Sequence, residues 1–215
     1  MLMIVQLSVT SGVVTTFSAT LLRTMGYSPK LSALLNIGSG PVSITAAILS
    51  GLAIRRASNR WAFVVALATP GIIGGALLSF MNTKGGILAG IYLVNFVTAT
   101  LPIIYQWTAA NVAGQTKRSF SMSLISGAFS IGNIIGPQTF QARDAPDYLP
   151  AKIAVLATLA GGAFVSCVLF VYYKLVNRQR ERRASSDTGG AMDGSLEEKW
   201  ANLTDRQNLA YRYVY

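Results

Sequence analysis

The chain has 215 residues, of which 52% are hydrophobic and 12% charged, with a mean hydropathy of +0.45. An ordinary soluble domain carries about 25% charged residues. All eight acids lie at or beyond Asp144, so residues 1–143 contain none, and a water-exposed surface of that kind is excluded.

Between the charges lie six uncharged runs, 1–22, 31–54, 61–83, 85–116, 119–142 and 153–173. Each reaches the ~20 residues that carry a helix across a bilayer. The expected fold is therefore all-α and polytopic, with a six-span membrane domain over 1–174 and a tail over 175–215. The first run begins at Met1 without a basic lead and continues for 22 residues to Arg23. It is too long and wrongly flanked for a signal peptide, so a further protein segment is expected to precede it.

Polarity varies along the spans. Ser, Thr, Asn and Gln number 8, 6 and 4 in the first three runs and 8, 9 and 2 in the last three. A span surrounded by lipid should be poorest in polar groups, whereas spans that pack on protein or line a wet path can keep them. The repeated order is what a 3+3 inverted repeat gives, with spans three and six toward lipid. Within the runs, Thr15, Thr16, Asn36, Tyr92, Asn95 and Asn133 are candidate path residues, because each is a neutral hydrogen-bonding group where an unpaired one is costly.

The fourth run places Tyr92, Asn95, Pro102 and Gln106 on one helical face. In the fifth, Ser119, Ser123, Ser126, Ser130 and Asn133 recur at spacings of 4, 3, 4 and 3. That stripe suits a substrate path or a sliding interface; packing through small hydroxyls that bond their own helix carbonyls is the alternative. Pro41, Pro70, Pro102 and Pro137 each withhold an N–H within a span. Glycines at 74–75, 85–86, 90 and 161–162 suit close helix approach, and no phosphate-binding loop is present.

The basic residues fix an expected orientation. Arg55, Arg56, Arg60, Lys117, Arg118, Lys174, Arg178, Arg180, Arg182 and Arg183 fall in one set of alternate loops; Arg23, Lys30, Lys84, Arg143 and Lys152 fall in the other. Ten against five puts the first set and both termini in the cytosol, and the net charge of +10 then marks topology rather than nucleic-acid binding. On that topology the sequon at Asn202 is cytosolic and unmodified. The tail is polar and expected to be largely disordered, with a short helix possible from the Thr204/Gln207 capping box.

Several chemistries are removed outright. The chain has no His, no span contains Asp or Glu, and Cys167 is the only cysteine. Zinc sites, His-based acid–base catalysis, intramembrane aspartyl proteolysis and an internal disulfide are excluded. No metal, cofactor or enzymatic activity is expected. A potassium filter of the T-V-G-Y-G kind is also absent.

Two segments carry a family resemblance. Gly51-Leu-Ala-Ile-Arg55-Arg56-Ala-Ser-Asn-Arg60 resembles the G-x-x-x-D-R-x-G-R-R loop signature of the major facilitator superfamily between helices eight and nine. Arg55 stands where that family has Asp, and Ser58 where it has Gly. Trp107-Thr-Ala-Ala-Asn111-Val-Ala-Gly114-Gln-Thr-Lys117-Arg118 resembles the end of helix ten in the fungal allantoate permease branch of the anion:cation symporters. Phe17, Gly26-Tyr27-Ser28, Gly132-Asn-Ile-Ile-Gly-Pro137, Asp144-Ala-Pro-Asp-Tyr148, Leu203-Thr-Asp-Arg-Gln-Asn208 and Tyr211-Arg-Tyr-Val214 add to the likeness in order.

The resemblance implies helices seven to twelve of a twelve-helix transporter at the plasma membrane. It further implies proton-coupled uptake of a small organic anion such as allantoate, nicotinate, pantothenate or a related carboxylate, with a six-helix N-terminal half as partner. A six-span homo-oligomeric channel or small carrier, or a noncatalytic membrane assembly partner, are the competing readings.

Overall fold

The computed structural model describes residues 1–56, 59–81, 83–144, 148–186 and 211–215. The expected helix after Thr204, the sequon at Asn202, the Leu203–Asn208 match, Ser58 and the centre of the Asp144–Tyr148 match lie outside them. Among the described residues there is no strand, and six helical segments are long and apolar enough to cross a membrane.

Span one is α1 (Leu2–Thr24) and span two is α2 (Pro29–Ile37) with α3 (Ser39–Arg56). Span three is α4 (Arg60–Phe80), and span four is α5 (Lys84–Val94), a 3-10 turn (Asn95–Ala99) and α6 (Thr100–Asn111). Span five is α7 (Gln115–Gln138), and span six lies within α8 (Leu149–Ser186).

Local chemistry explains the boundaries. After α1, the chain turns through Gly26 at φ +84°, where a side chain would be strained, and the Gly26 N–H closes on the Arg23 carbonyl at 2.9 Å. Ser28 then caps α2 by accepting from the Leu31 N–H at 3.3 Å, with Pro29 at the first helical position. Two of the four intramembrane prolines fall at breaks. Pro41 and Pro102 have no N–H to give the carbonyls four residues before them, Ile37 and Thr98, and the helix breaks at Gly38 and tightens to 3-10 at Asn95–Ala99. Pro70 is accommodated within α4 and Pro137 sits in the last turn of α7.

α1 is the central helix. It packs along α7 and α8, while α4 packs along α5 and α8. Ile4, Leu22, Val64, Ile91, Val94 and Leu159 are fully buried between these layers. The α1–α7 crossing depends on missing side chains: a methyl group on Gly132 would lie 2.5 Å from Ser8 Cβ, and one on Gly136 2.5 Å from the Val9 carbonyl. Small residues four apart let the two backbones approach, which is how helices gain contact where lipid supplies no hydrophobic drive.

Burial differs among the spans. Span two is only 11% buried within the fold, against 56% for span one, and exposes Ile44, Ile48, Leu49 and Leu52. Span three, expected from polarity to face lipid, is 39% buried, because it sits between α5 and α8.

The tail departs from expectation at both ends. α8 runs past residue 174 to Ser186 instead of giving way to disorder, as suits a segment of Asn, Arg, Gln, Glu and Ala without Gly or Pro. Tyr211–Tyr215 is not helical; it lies against α4, α6 and α8.

Candidate functional site

The side of the bundle formed by α1, the bend in span four and α7 carries most of the exposed polar groups in the spans. Thr15 and Thr16 of α1 are exposed, as are Thr98, Pro102 and Gln106 of span four and Ser119, Ser123, Ser126 and Ser130 of α7. Asn133 continues the stripe, half-buried.

Two small clefts open where these elements meet. One, of about 60 Å³, is lined among others by Ser8, Ser11, Thr98 and Phe129; the other, of about 10 Å³, by Ser11, Thr15, Asn95 and Thr98. Thr15 and Asn95, eighty positions apart in sequence, thus share a cleft. Thr15 Oγ1 donates to the Ser11 carbonyl at 2.8 Å, and Asn95 Nδ2 donates to the Ile91 carbonyl at 2.7 Å. The Asn95 carbonyl accepts from Ser43 Oγ at 3.3 Å, tying the bend to span two.

Asn36 and Tyr92 belong to a different place. The Tyr92 hydroxyl donates to the Leu35 carbonyl at 2.8 Å, and a methyl group on Gly38 would meet that hydroxyl oxygen at 2.6 Å. The Asn36 carbonyl accepts from Ser39 Oγ at 2.6 Å. Tyr92 thus braces the α2–α3 break through its side chain, whereas Asn36 contributes its main-chain carbonyl. Asn133 sits at the α1–α7 crossing, with Nδ2 donating to the Phe129 carbonyl at 2.9 Å and its backbone against Gly12.

The expected face of Tyr92, Asn95, Pro102 and Gln106 is interrupted. Pro102 and Gln106 are exposed while Tyr92 points to span two, because five residues of 3-10 helix advance about 120° each rather than 100°. The same phase change brings Thr98 and Tyr105 onto the polar side, which constant periodicity could not show. Tyr105 Oη and Ser126 Oγ share a hydrogen bond at 2.6 Å and join α6 to α7. The α7 serines also bond backward along their own helix: Ser123 to Ser119, Ser126 to Met122 and Ser130 to Ser126, at 3.1–3.2 Å.

The polar side is electrically neutral. Its groups are hydroxyls, amides and backbone carbonyls, and no group of three metal-ligating side chains exists among the described residues. Such a surface can orient a polar solute by hydrogen bonds. It cannot balance a charge.

Basic residues are more numerous at one end of the bundle, which also carries the two sequence motifs. Gly51, Arg55 and Arg56 are exposed in the last turns of α3, and Arg60 opens α4. At the α6–α7 turn Gly114 adopts φ +90°, and Arg118 Nη2 and Nε donate to the Ala109 carbonyl at 2.6 and 3.1 Å. Lys117 lies exposed in the first turn of α7. Trp107 and Asn111 are buried and bond to the Val214 main chain. The opposite end is closed by stacked Phe17, Phe140 and Tyr148, with centroids 3.9 and 4.0 Å apart.

Comparison with known proteins gives consistent relatives. The chain is 32% identical over 213 residues to the thiamine pathway transporter THI73 of Saccharomyces cerevisiae, covering 96% of this chain and 39% of that protein. It is 31% identical over 219 residues to the MFS-type transporter cnsL of Penicillium expansum, covering 98% and 43%. It is 27% identical over 219 residues to the allantoate permease of S. cerevisiae, covering 96% and 40%. The chain thus spans about two fifths of the length of these relatives. No family model and no solved structure matches it.

Proposed function

We infer, for a chain that corresponds to the C-terminal half of major facilitator superfamily transporters, that residues 1–174 are one half of a transmembrane carrier. The polar side of α1, the span-four bend and α7 is one wall of its substrate path. The observation that carries this reading is the concentration of exposed hydroxyls and amides on one side of helices that elsewhere expose Ile, Leu, Val and Phe. Exposed polar groups are unfavourable against lipid, so this side suits water and a second protein half.

The cargo is a small organic anion such as allantoate, nicotinate, pantothenate or a related carboxylate, moved with protons by alternating access. The relative named allantoate permease supports the class. The wall formed by this half is neutral, so it orients the anion through Ser11, Thr15, Asn95, Thr98 and Asn133, while the charge partner and the titrating group reside on the six N-terminal helices. Tyr92 acts at one remove, by holding the break in span two, beside which Asn36 lies.

The basic end faces the cytosol of a plasma-membrane protein, on the ten-to-five split of Lys and Arg. The segment 175–215 is a cytosolic tail. The test is protection. In a twelve-helix permease carrying this half, with Cys167→Ser as background, Thr98→Cys should react with a small charged thiol reagent more slowly when the transported carboxylate is present. A rate indifferent to substrate would remove this side from the path.

A further inference from the structure

The basic end of the bundle holds a constellation that the transport reading does not use. Tyr211–Tyr215 lies extended across the ends of three spans, and its main chain is gripped by side chains on both flanks. Asn177 of α8 donates from Nδ2 to the Tyr213 carbonyl at 2.8 Å and accepts the Tyr213 N–H at 3.0 Å. Asn111 of α6 does the same to the next residue, donating to the Val214 carbonyl at 2.8 Å and accepting its N–H at 2.7 Å. Trp107 Nε1 adds a second donor to the Val214 carbonyl at 2.8 Å, and Arg180 Nη1 donates to the Tyr211 carbonyl at 2.7 Å.

A primary amide presents a donor and an acceptor side by side, matching the N–H and C=O that a single residue of an extended chain turns to one edge. Successive residues of an extended chain turn their N–H and C=O pairs to alternate flanks. Two asparagines on opposite flanks, pairing with successive residues, therefore reproduce the two neighbours of a central strand. Both asparagines are buried, at 5% and 9% exposure, so neither amide has water as a ready substitute. Aromatic contacts then select the side chains. Tyr213 stacks on Tyr173 at 5.1 Å under the Arg180 guanidinium at 4.8 Å, Tyr215 meets the Phe170 ring edge-on at 5.5 Å, and the Tyr211 hydroxyl donates to the Ala110 carbonyl at 2.6 Å.

The segment reaches span three as well, since the Tyr215 carbonyl accepts the Arg60 N–H at 3.3 Å, at the start of α4. Three of the same receptor residues, Trp107, Asn111 and Tyr173, also line a cavity of about 380 Å³, with Met1, Met3 and Thr108 among others. Trp107, Asn111 and Tyr173 thus serve as the floor of the strap and the wall of the cavity.

We propose that Asn111, Asn177, Trp107 and Arg180 form a binding site for an extended aromatic peptide, occupied in cis by Tyr211–Tyr215, whose docking clasps spans three, four and six and closes the basic end over the adjoining cavity. This site stands on the fold alone and holds whether or not the carrier reading does.

The full 215-residue chain, purified in detergent, tests it twice. In the unaltered chain, hydrogen exchange at the Tyr213 and Val214 amides should be at least about tenfold slower than in a free peptide of the same sequence, the ratio that loss of one or two hydrogen bonds removes. Exchange at the free-peptide rate would overturn the site. With Cys167→Ser as background, Asn177→Leu with Arg180→Ala should speed maleimide labelling of Val214→Cys, and separately of Thr108→Cys in the cavity wall, by a similar factor. Unchanged labelling of Val214→Cys would overturn the assigned grips, and faster Val214→Cys with unchanged Thr108→Cys would overturn the closing role. Circular dichroism accompanies the variants; where one fails to fold, hydrogen exchange in the unaltered chain decides whether the site exists.

Discussion

Asn95 joins a structural role to its proposed place on the path. Its amide donates to the Ile91 carbonyl, and its own carbonyl takes Ser43 Oγ, so it holds the span-four bend while lining the cleft shared with Thr15. A neutral amide within a membrane helix is worth keeping only if its hydrogen bonds are made, since full transfer unpaired costs about 2 to 7 kcal/mol. Asn95→Leu in a twelve-helix permease should therefore lower uptake several-fold while surface expression stays near the parent level. Uptake equal to the parent would remove Asn95 from the path. Tyr92→Phe makes a sharper distinction, because it deletes only the bond to the Leu35 carbonyl. It should reduce thermal stability by about 0.5–1.5 kcal/mol, read from detergent unfolding, and leave the apparent affinity for cargo unchanged.

At the scale of elements, the α1–α7 crossing is the most demanding contact. Gly132→Ala should cost about 1–3 kcal/mol, because its methyl group would press on Ser8 Cβ and the Val5 carbonyl with rigid backbone behind it. Gly127→Ala on the same helix is the control: nothing lies within 4 Å of the added carbon, and the unfolding temperature should not fall. Equal losses from the two would mean that the crossing is looser than described. Gly114→Ala should cost about 1 kcal/mol through its φ of +90° alone.

The elements also show how far residue patterns reach. Six charge-free runs gave six spans, since charge in lipid is the strongest constraint on such a chain. The exposed serine stripe of α7 followed from a 3.6-residue period in an unbroken helix. The same arithmetic failed in span four, where Pro102 converts a turn to 3-10 and rotates everything beyond it. It also missed the cleft that Thr15 and Asn95 share, which depends on how α1 lies against the bend, and the docking of Tyr211–Tyr215, which depends on two asparagines 66 residues apart.

For the molecule as a whole, the distribution of charge assigns the work. The spans offer hydrogen bonds but contain no Asp, Glu or His. On the proposed reading the exposed polar side is one wall of the path, and cargo charge and proton coupling would fall to residues outside these six spans. The proposed orientation, with the more basic end cytosolic, predicts that cysteine substitutions in the Arg143–Lys152 loop label from outside cells, and those beyond Lys174 only after permeabilisation. The reverse pattern would invert the topology.

The most direct measurement places these 215 residues alone in proteoliposomes, with an inward proton gradient and labelled allantoate or nicotinate. The account predicts binding at most, with no gradient-dependent accumulation. Robust accumulation that collapses with the gradient would contradict it, and would mean that the six spans are a complete carrier.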